Sequence, residues 1–184
     1  MSQIQQCGLI MLIMFCGWGC LTITENNSLP PEDDGIILEA YNIEYTYSDS
    51  AVVKARLTSG HMVEKNEGKE KAKKVVRYLN EGVFVEFFNG QKQRVSTLKA
   101  NRAELEDNNN VAELRGKVEV ENINSERLET EKLYWNEKQD KIFTDEPVRI
   151  RLPDKIIKGV GLEANTSFTA YTLFRVTGTL QLEE

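Results

Sequence analysis

The chain has 184 residues, with 23 Lys and Arg against 29 Asp and Glu, and a net charge of −6 at pH 7. A charged fraction of 28% excludes a multi-pass membrane protein, and a chain of this length can form one domain with a substantial core. The negative charge argues against a general nucleic-acid binder, because such binders gain their affinity by neutralising phosphates. We therefore expect no nucleic-acid partner.

The first 24 residues form a leader without a charged side chain. Residues 8–15 are a continuous apolar run, which is typical of an export signal. The whole uncharged apolar stretch, residues 8–23, would cover only about 24 Å as a helix, against a hydrocarbon core of roughly 30 Å. Gly19 supplies the small residue that a bacterial lipoprotein signal peptidase requires before a cysteine. We therefore predict a lipoprotein signal peptide over residues 1–20 with Cys20 lipidated, and a short uncleaved signal anchor is the alternative.

A polar segment with two prolines, residues 21–35, predicts a flexible tether, and residues 36–184 are then the exported domain. All three cysteines lie in the leader, and His61 is the single histidine. The domain therefore cannot assemble a zinc cluster or a Cys–His nucleophile pair, and we expect His61 to be a surface or hydrogen-bonded residue. We predict a non-enzymatic protein with no catalytic residues, metal site or cofactor, and a carbohydrate-active β-sheet enzyme is the most distant alternative.

The domain sequence alternates apolar and polar residues, which predicts half-buried antiparallel strands. Residues 83–88 followed by Asn89 and Gly90 predict a hairpin with a type I′ turn. Residues 98–107 would also permit a helix, but we interpret them as strand. The other alternating segments are residues 43–47, 53–57, 118–121, 148–152 and 180–182.

An internal repeat supports a stacked arrangement of hairpins. Two sets of apolar residues are related by a shift of 30 positions, and a looser third unit covers residues 157–182. Each unit consists of two strands and a turn that cannot bury its apolar face alone, so the units should stack as a jelly roll or short solenoid with open sheet edges. The first set is Leu98, Ala103, Leu105, Val118 and Val120, and the second is Leu128, Leu133, Trp135, Val148 and Ile150.

An open sheet folded on itself turns its apolar face inward, where that face could line a lipid groove or pack as a dry core. The candidate groove residues are Val118, Val120, Leu133, Trp135, Val148, Ile150, Leu180 and Leu182. Open edges present unpaired backbone groups to a partner sheet. The candidate partner-edge residues are Ile43, Tyr45 and Tyr47 near the start of the domain, and Val176, Leu180 and Leu182 at its end.

Four stretches in this order and spacing resemble the LptC family of lipopolysaccharide export system periplasmic proteins. They are EYTYSD (44–49) with VKARLT (53–58), ANRAEL (100–105) with LRGKVEV (114–120), LETEKLYWN (128–136) with TDEPV (144–148), and IKGVGL (157–162). The likeness covers roughly residues 36–176. It implies an all-β, antiparallel twisted β-jelly roll whose apolar interior holds the acyl chains of lipopolysaccharide.

The resemblance also implies a place and partners. The domain would stand at the periplasmic face of the inner membrane of a Gram-negative bacterium, beside an ATP-driven (ABC) transporter. Transporter subunits would pair with its first edge and a jelly-roll bridge protein with its last edge. Members of the family often carry a single membrane-spanning helix, so a lipid anchor is a departure. The alternative function is a surface or periplasmic lipoprotein of structural or adhesive role without a lipid ligand.

Overall fold

The computed structural model describes residues 35–68, 74–106 and 110–181, which form ten β-strands and no helix. The strands are β1 (Ile36–Asp49), β2 (Val52–Glu67), β3 (Lys74–Phe88), β4 (Arg94–Ala100), β5 (Arg102–Glu106), β6 (Val111–Asn122), β7 (Arg127–Asn136), β8 (Lys141–Arg151), β9 (Lys155–Asn165) and β10 (Tyr171–Gln181). Alternation of buried and exposed side chains along these strands produces one inner apolar face and one outer polar face.

All ten strands belong to one antiparallel sheet in the order β1-β2-β3-β4-β6-β7-β8-β9-β10. The short strand β5 lies off this path, follows β4 directly, and pairs with both β3 and β6. Consecutive strands are therefore neighbours except for β4 and β5, which do not pair with each other, and β1 and β10 are the two edges. The predicted all-β, antiparallel fold of jelly-roll type is confirmed. The described part of residues 98–107 is strand except at Asn101, which separates β4 from β5.

A line of irregularities crosses the sheet from β1 to β9. Register shifts interrupt the pairing of β2 with β3, β6 with β7, β7 with β8, and β8 with β9 at adjoining positions. Gly116 and Gly161 lie on this line with φ of +78° and +76°, a left-handed conformation that glycine adopts without a steric penalty. Bulges of this kind bend and twist the strands that carry them. The line, which we call the bend line, runs through Asn42, Gly60, Gly82, Asn101, Gly116, Glu131, Glu146 and Gly161.

The 30-residue repeat is visible in the bend line. Asn101, Glu131 and Gly161 lie on it at equal intervals of 30 residues, and Gly116 and Glu146 form a second series with the same interval. Each repeat thus contributes two passes of the chain, and each pass crosses the line once. The periodic apolar pattern of the sequence therefore reflects a periodic geometry of bent strands.

The sheet folds over along the bend line, so strands that are distant in the sheet face one another across the interior. In a flat sheet β3 and β7 would be separated by three strand spacings, about 14 Å. The ring of Trp135 on β7 nevertheless lies edge-on to that of Phe87 on β3, with 5.2 Å between centroids. Tyr47 on β1 contacts the same indole at 6.3 Å. The inner face is therefore packed against itself, and we call its two halves the walls.

The hairpin between β3 and β4 is confirmed, but its predicted type I′ turn is wrong. The connection spans residues 89–93, and the Asn89 N–H donates to the Gln93 carbonyl at 3.0 Å. The Asn89 side-chain oxygen accepts the N–H groups of Gln91 and Gln93, also at 3.0 Å. Positive φ occurs at Lys92 and not at Gly90. The asparagine side chain therefore organises a five-residue loop instead of entering a two-residue turn.

Several predictions for the chain termini fall outside the described residues. These are the signal peptide with Cys20, nearly all of the tether, and Leu182. Within residues 35–68, 74–106 and 110–181, no helix is long and apolar enough to cross a membrane. In the same residues, no group of His, Cys, Asp and Glu side chains is placed to hold a metal ion.

The folded sheet makes a prediction about stability. Trp135→Ala should lower the free energy of unfolding by about 3–5 kcal/mol, because it removes a fully buried side chain that joins both walls. Tyr134→Ala is the matched control, since Tyr134 is the adjacent residue of β7 and lies half-buried on the outer face. Urea unfolding followed by circular dichroism measures both variants. Equal losses of stability would contradict the assignment of inner and outer faces.

Candidate lipid groove and sheet edges

The structure brings six of the eight predicted groove residues together on the inner face. Each is between 0 and 4% exposed and belongs to one continuous hydrophobic core. They come from three neighbouring strands: Val118 and Val120 on β6, Leu133 and Trp135 on β7, and Val148 and Ile150 on β8. The packed interior is thus apolar and tightly filled in this conformation.

Leu180 is not part of this interior. It lies on the edge strand β10 with 61% of its surface exposed, opposite Ile156 of β9. Leu182 lies beyond the described residues. The prediction of Leu180 as a groove residue is therefore wrong, because alternation does not distinguish the central strands of a sheet from its edge.

Beside the packed interior, residues of β1, β2, β3, β5 and β6 line a cavity of about 600 Å³ that opens to solvent. Its lining is mixed, with somewhat more apolar than polar surface, and its apolar residues include Ile43, Leu57, Met62, Leu79 and Leu105. Sequence reasoning identified Leu57 and Leu105 as alternating strand residues but did not assign a cavity to them. Leu79 lies on the alternation of β3 with Val83 and Val85, but Met62 follows the register shift of β2 between Ser59 and His61, so alternation from Leu57 would assign Met62 to the outer face.

Charged side chains lie at the rim of this cavity. Arg77 Nε contacts Glu64 Oε2 at 2.7 Å across β3 and β2, and Glu106 contacts Lys74 at 3.1 Å. Glu137 also lines the cavity, and burial raises the pKa of its carboxyl above the ordinary value. A partly apolar cavity with a charged rim suits an amphipathic ligand, with its hydrocarbon inside and its polar groups at the rim.

The outer face has a different character, because ion pairs cover much of it. Arg127 contacts both Glu119 and Glu121, at 3.1 and 3.0 Å, and Arg149 contacts Glu129 at 3.4 Å. Such exposed pairs contribute little stability but keep the surface hydrated. The larger apolar surfaces of the described chain are therefore the interior, the cavity and the sheet edges.

Both edge strands expose large apolar side chains. Within the described chain, β1 pairs with β2 alone and β10 pairs with β9 alone, so these two strands are the edges of the sheet. Eight of the nine exposed large hydrophobic residues of the described chain lie on these strands. They are Ile36, Ile37, Leu38, Tyr41 and Tyr45 on β1, and Phe174, Val176 and Leu180 on β10. Exposed apolar residues concentrated on open edges are typical of partner interfaces.

The predicted edge residues thus lie on the correct strands but differ in orientation. Tyr45, Val176 and Leu180 are exposed, whereas Ile43 and Tyr47 are half-buried and pack against the core. Sequence reasoning missed the exposed apolar run at residues 36–38 and also missed Phe174. The run of three consecutive apolar residues at the start of the domain was a signal, since a strand with one buried face would alternate.

His61 forms a hydrogen bond near the surface of the domain, as expected. Its Nε2 lies 2.8 Å from Glu39 Oε1, and its ring stacks on Tyr41 with 4.8 Å between centroids. The Tyr41 hydroxyl donates to the same carboxylate oxygen at 2.9 Å. Hydrogen bonds from His61 and Tyr41 lower the pKa of the Glu39 carboxyl. The three residues form a small polar cluster on the first edge of the sheet.

The sequence matches the model of a known protein family. The family model described as "Lipopolysaccharide-assembly, LptC-related" matches residues 9–181, a range that includes all ten strands, both edges and the cavity. No curated protein sequence matches the chain. Because the match covers nearly the whole chain, this protein belongs to the LptC-related family of lipopolysaccharide-assembly proteins.

Proposed function

We propose that this chain is a non-enzymatic carrier and scaffold that takes lipopolysaccharide from the inner membrane transporter and passes it to the periplasmic bridge. Family membership implies a role in lipopolysaccharide transport. The finer proposal is that acyl chains lie in the interior of the folded sheet. The observation that supports it most is the cavity that opens beside the core on the inner face.

The energetics of acyl-chain burial favour such a site. Each methylene that leaves water contributes about 0.8 kcal/mol, so partial insertion of a few chains outweighs a modest rearrangement of the protein. The cavity of about 600 Å³ provides a starting volume, and its charged rim provides partners for the polar part of the lipid. Deeper insertion requires the two walls to separate, because the central residues of the interior are tightly packed.

The edges supply the scaffold function in this proposal. A partner strand that pairs with β1 or β10 would extend the sheet and align the apolar inner faces of two domains. Lipid could then move between the domains without contact with water. We propose transporter subunits as partners of β1 and the bridge protein as the partner of β10.

The tight core also favours a second candidate function. Residues that are 0–4% exposed behave as a dry core, and a dry core needs no ligand. The chain would then be a periplasmic or surface lipoprotein of structural or adhesive role that uses its apolar edges for protein contacts alone. Direct measurement of lipid binding separates the two functions.

Lipid binding can be tested at the cavity without disturbing the central core. Met62→Lys places a charge on the cavity wall and should weaken lipid A binding by at least about tenfold, because burial of an unpaired ammonium is costly. Val63→Lys is the matched control, since Val63 is the next residue of β2 and lies on the outer face. Titration with lipid A, followed by Trp135 fluorescence, measures the affinity. Equal weakening in both variants would contradict a site at this cavity.

Partner binding can be tested at the edges by photocrosslinking in cells. A photoreactive residue at Val176 should capture the jelly-roll bridge protein, and one at Tyr41 should capture a transporter subunit, because both side chains are exposed on edge strands. Lys99 on the central strand β4 is exposed as well and serves as the control position. Similar yields from Lys99, or crosslinks only within the chain itself, would count against edge pairing.

We also propose that Cys20 carries the lipid anchor, with the domain on the periplasmic side of the inner membrane. A diacylglyceryl group provides two chains, which hold a protein firmly where one chain gives only marginal binding. Metabolic labelling with a palmitate analogue should mark the wild-type protein and leave Cys20→Ser unlabelled. Labelling of both proteins to the same extent would refute the assignment, and an uncleaved anchor would leave both unlabelled.

A further inference from the structure

The loop between β9 and β10 contains a fully buried aromatic residue. Its residues 165–170 include Phe168, which is 0% exposed although it lies in a hairpin connection. The Phe168 ring stacks on Tyr171, with 5.3 Å between centroids, and belongs to the same core as the candidate groove residues. We call residues 165–170 the strap, because they extend from the last hairpin to the opposite wall.

Two buried polar side chains hold the strap to that wall. Ser96 Oγ, at the start of β4, donates to the Thr166 carbonyl at 2.5 Å. Asn122 Nδ2, at the end of β6, donates to the Phe168 carbonyl at 2.9 Å. Neither β4 nor β6 is a neighbour of β9 or β10 in the sheet. These bonds therefore connect strands that are not paired with each other in the sheet. They cross the opening between the two walls, which we call the mouth.

The strap is a preformed unit. The Asn165 side-chain oxygen accepts the N–H groups of Thr169 and Ala170, at 3.0 and 3.1 Å, and the Phe168 N–H donates to the Asn165 carbonyl at 3.0 Å. Thr166 contacts Asp140 of the β7–β8 turn through both its side chain and its backbone. Because its internal bonds do not depend on the opposite wall, the strap can leave that wall without unfolding.

The attachment also contains opposing forces. Phe168 has φ of +52°, a left-handed conformation that is unfavourable for a bulky residue, so the docked strap is held against local backbone strain. The bonds from Ser96 and Asn122 are ordinary hydrogen bonds between neutral groups, which are individually modest in net strength. Undocking of Phe168 must break these two bonds and expose one buried ring, whereas separation of two strands must break a whole row of backbone bonds.

We propose that the strap is a gate, and that undocking of Phe168 from the opposite wall is the step that admits acyl chains to the interior. The proposal rests on the proposed function, since it assumes that the interior receives lipid. Phe168 occupies apolar volume that a chain would need, and its two attachments close the mouth through which the walls would separate. Since the strap runs directly into β10, a partner strand at that edge would act on the same hairpin.

The test combines hydrogen exchange with the rate of lipid loading. Ser96→Ala with Asn122→Ser removes both donors to the strap, together with the bond from Asn122 Nδ2 to Glu126 Oε2 at 2.6 Å, and introduces no charge beside that carboxylate. Loss of two such bonds should accelerate both strap exchange and lipid A loading by about tenfold or more. Release of lipid A should accelerate as well. Trp135 fluorescence follows loading and release, and mass spectrometry follows exchange at residues 165–170.

Thr144→Val is the control for these measurements. It removes the bond from the buried Thr144 side chain to a backbone carbonyl, Thr144 Oγ1 to Lys132 O at 2.7 Å, and the bond that Thr144 Oγ1 accepts from the Glu146 N–H, but at the bend line and not across the mouth. It should leave strap exchange and loading within about twofold of wild type, because it leaves the strap attachments intact. Should the double variant fail to fold by circular dichroism, Ser96→Ala alone gives the same direction with a smaller change.

The outcomes separate the gate from the carrier function. If hydrogen exchange of the strap is faster in the double variant but lipid A loads at the wild-type rate, the gate is overturned and the carrier function stands. The same holds if the strap exchanges only when the whole domain unfolds. Equal acceleration of loading by Thr144→Val would also overturn the gate. If the wild-type protein takes up no lipid A at all, the carrier function fails and the gate fails with it.

Discussion

The contact of Trp135 with Phe87 and Tyr47 depends on a sheet that bends back on itself, and the rest of the structure depends on that bend. A single antiparallel sheet must bury one face, and this one covers its apolar face with itself. The bend line makes this possible because each pass of the chain has an irregularity there, some with glycine at positive φ. Continuous pairing from β1 to β10 then leaves two edges, whose apolar side chains are the largest exposed apolar feature of the described chain.

This architecture relates the two proposed roles physically. The same inner face that stabilises the domain is the surface that would hold acyl chains, so stability and binding compete for the same residues. Insertion of acyl chains beyond the cavity would therefore require separation of the walls, and two side-chain hydrogen bonds join the strap that carries Phe168 to the opposite wall. The sheet edges lie outside this competition, which allows partner strands to add without loss of core contacts.

Much of the fold follows from local pattern, and the rest depends on contacts between distant residues. Alternation identified the inner face, including Val118, Val120 and Trp135, because side chains of a strand alternate whatever the partner strand is. The burial of Phe168 was not predictable, since its neighbours in the loop are mostly polar. The side chains that hold the loop lie far away in sequence, with Ser96 70 residues from Thr166 and Asn122 46 residues from Phe168. Alternation also could not place Leu180 on an exposed edge. The Asn89 turn shows a related limit, because Asn-Gly permits several loop lengths.

The central claim is that the folded sheet carries lipopolysaccharide in its interior, and native mass spectrometry of the protein extracted gently from its own membranes tests it most directly. The account predicts a population whose mass exceeds that of the protein by one lipopolysaccharide molecule, and this population should decrease in Met62→Lys but persist in Val63→Lys. Folded protein that is extracted under these conditions without any bound lipopolysaccharide would contradict the claim.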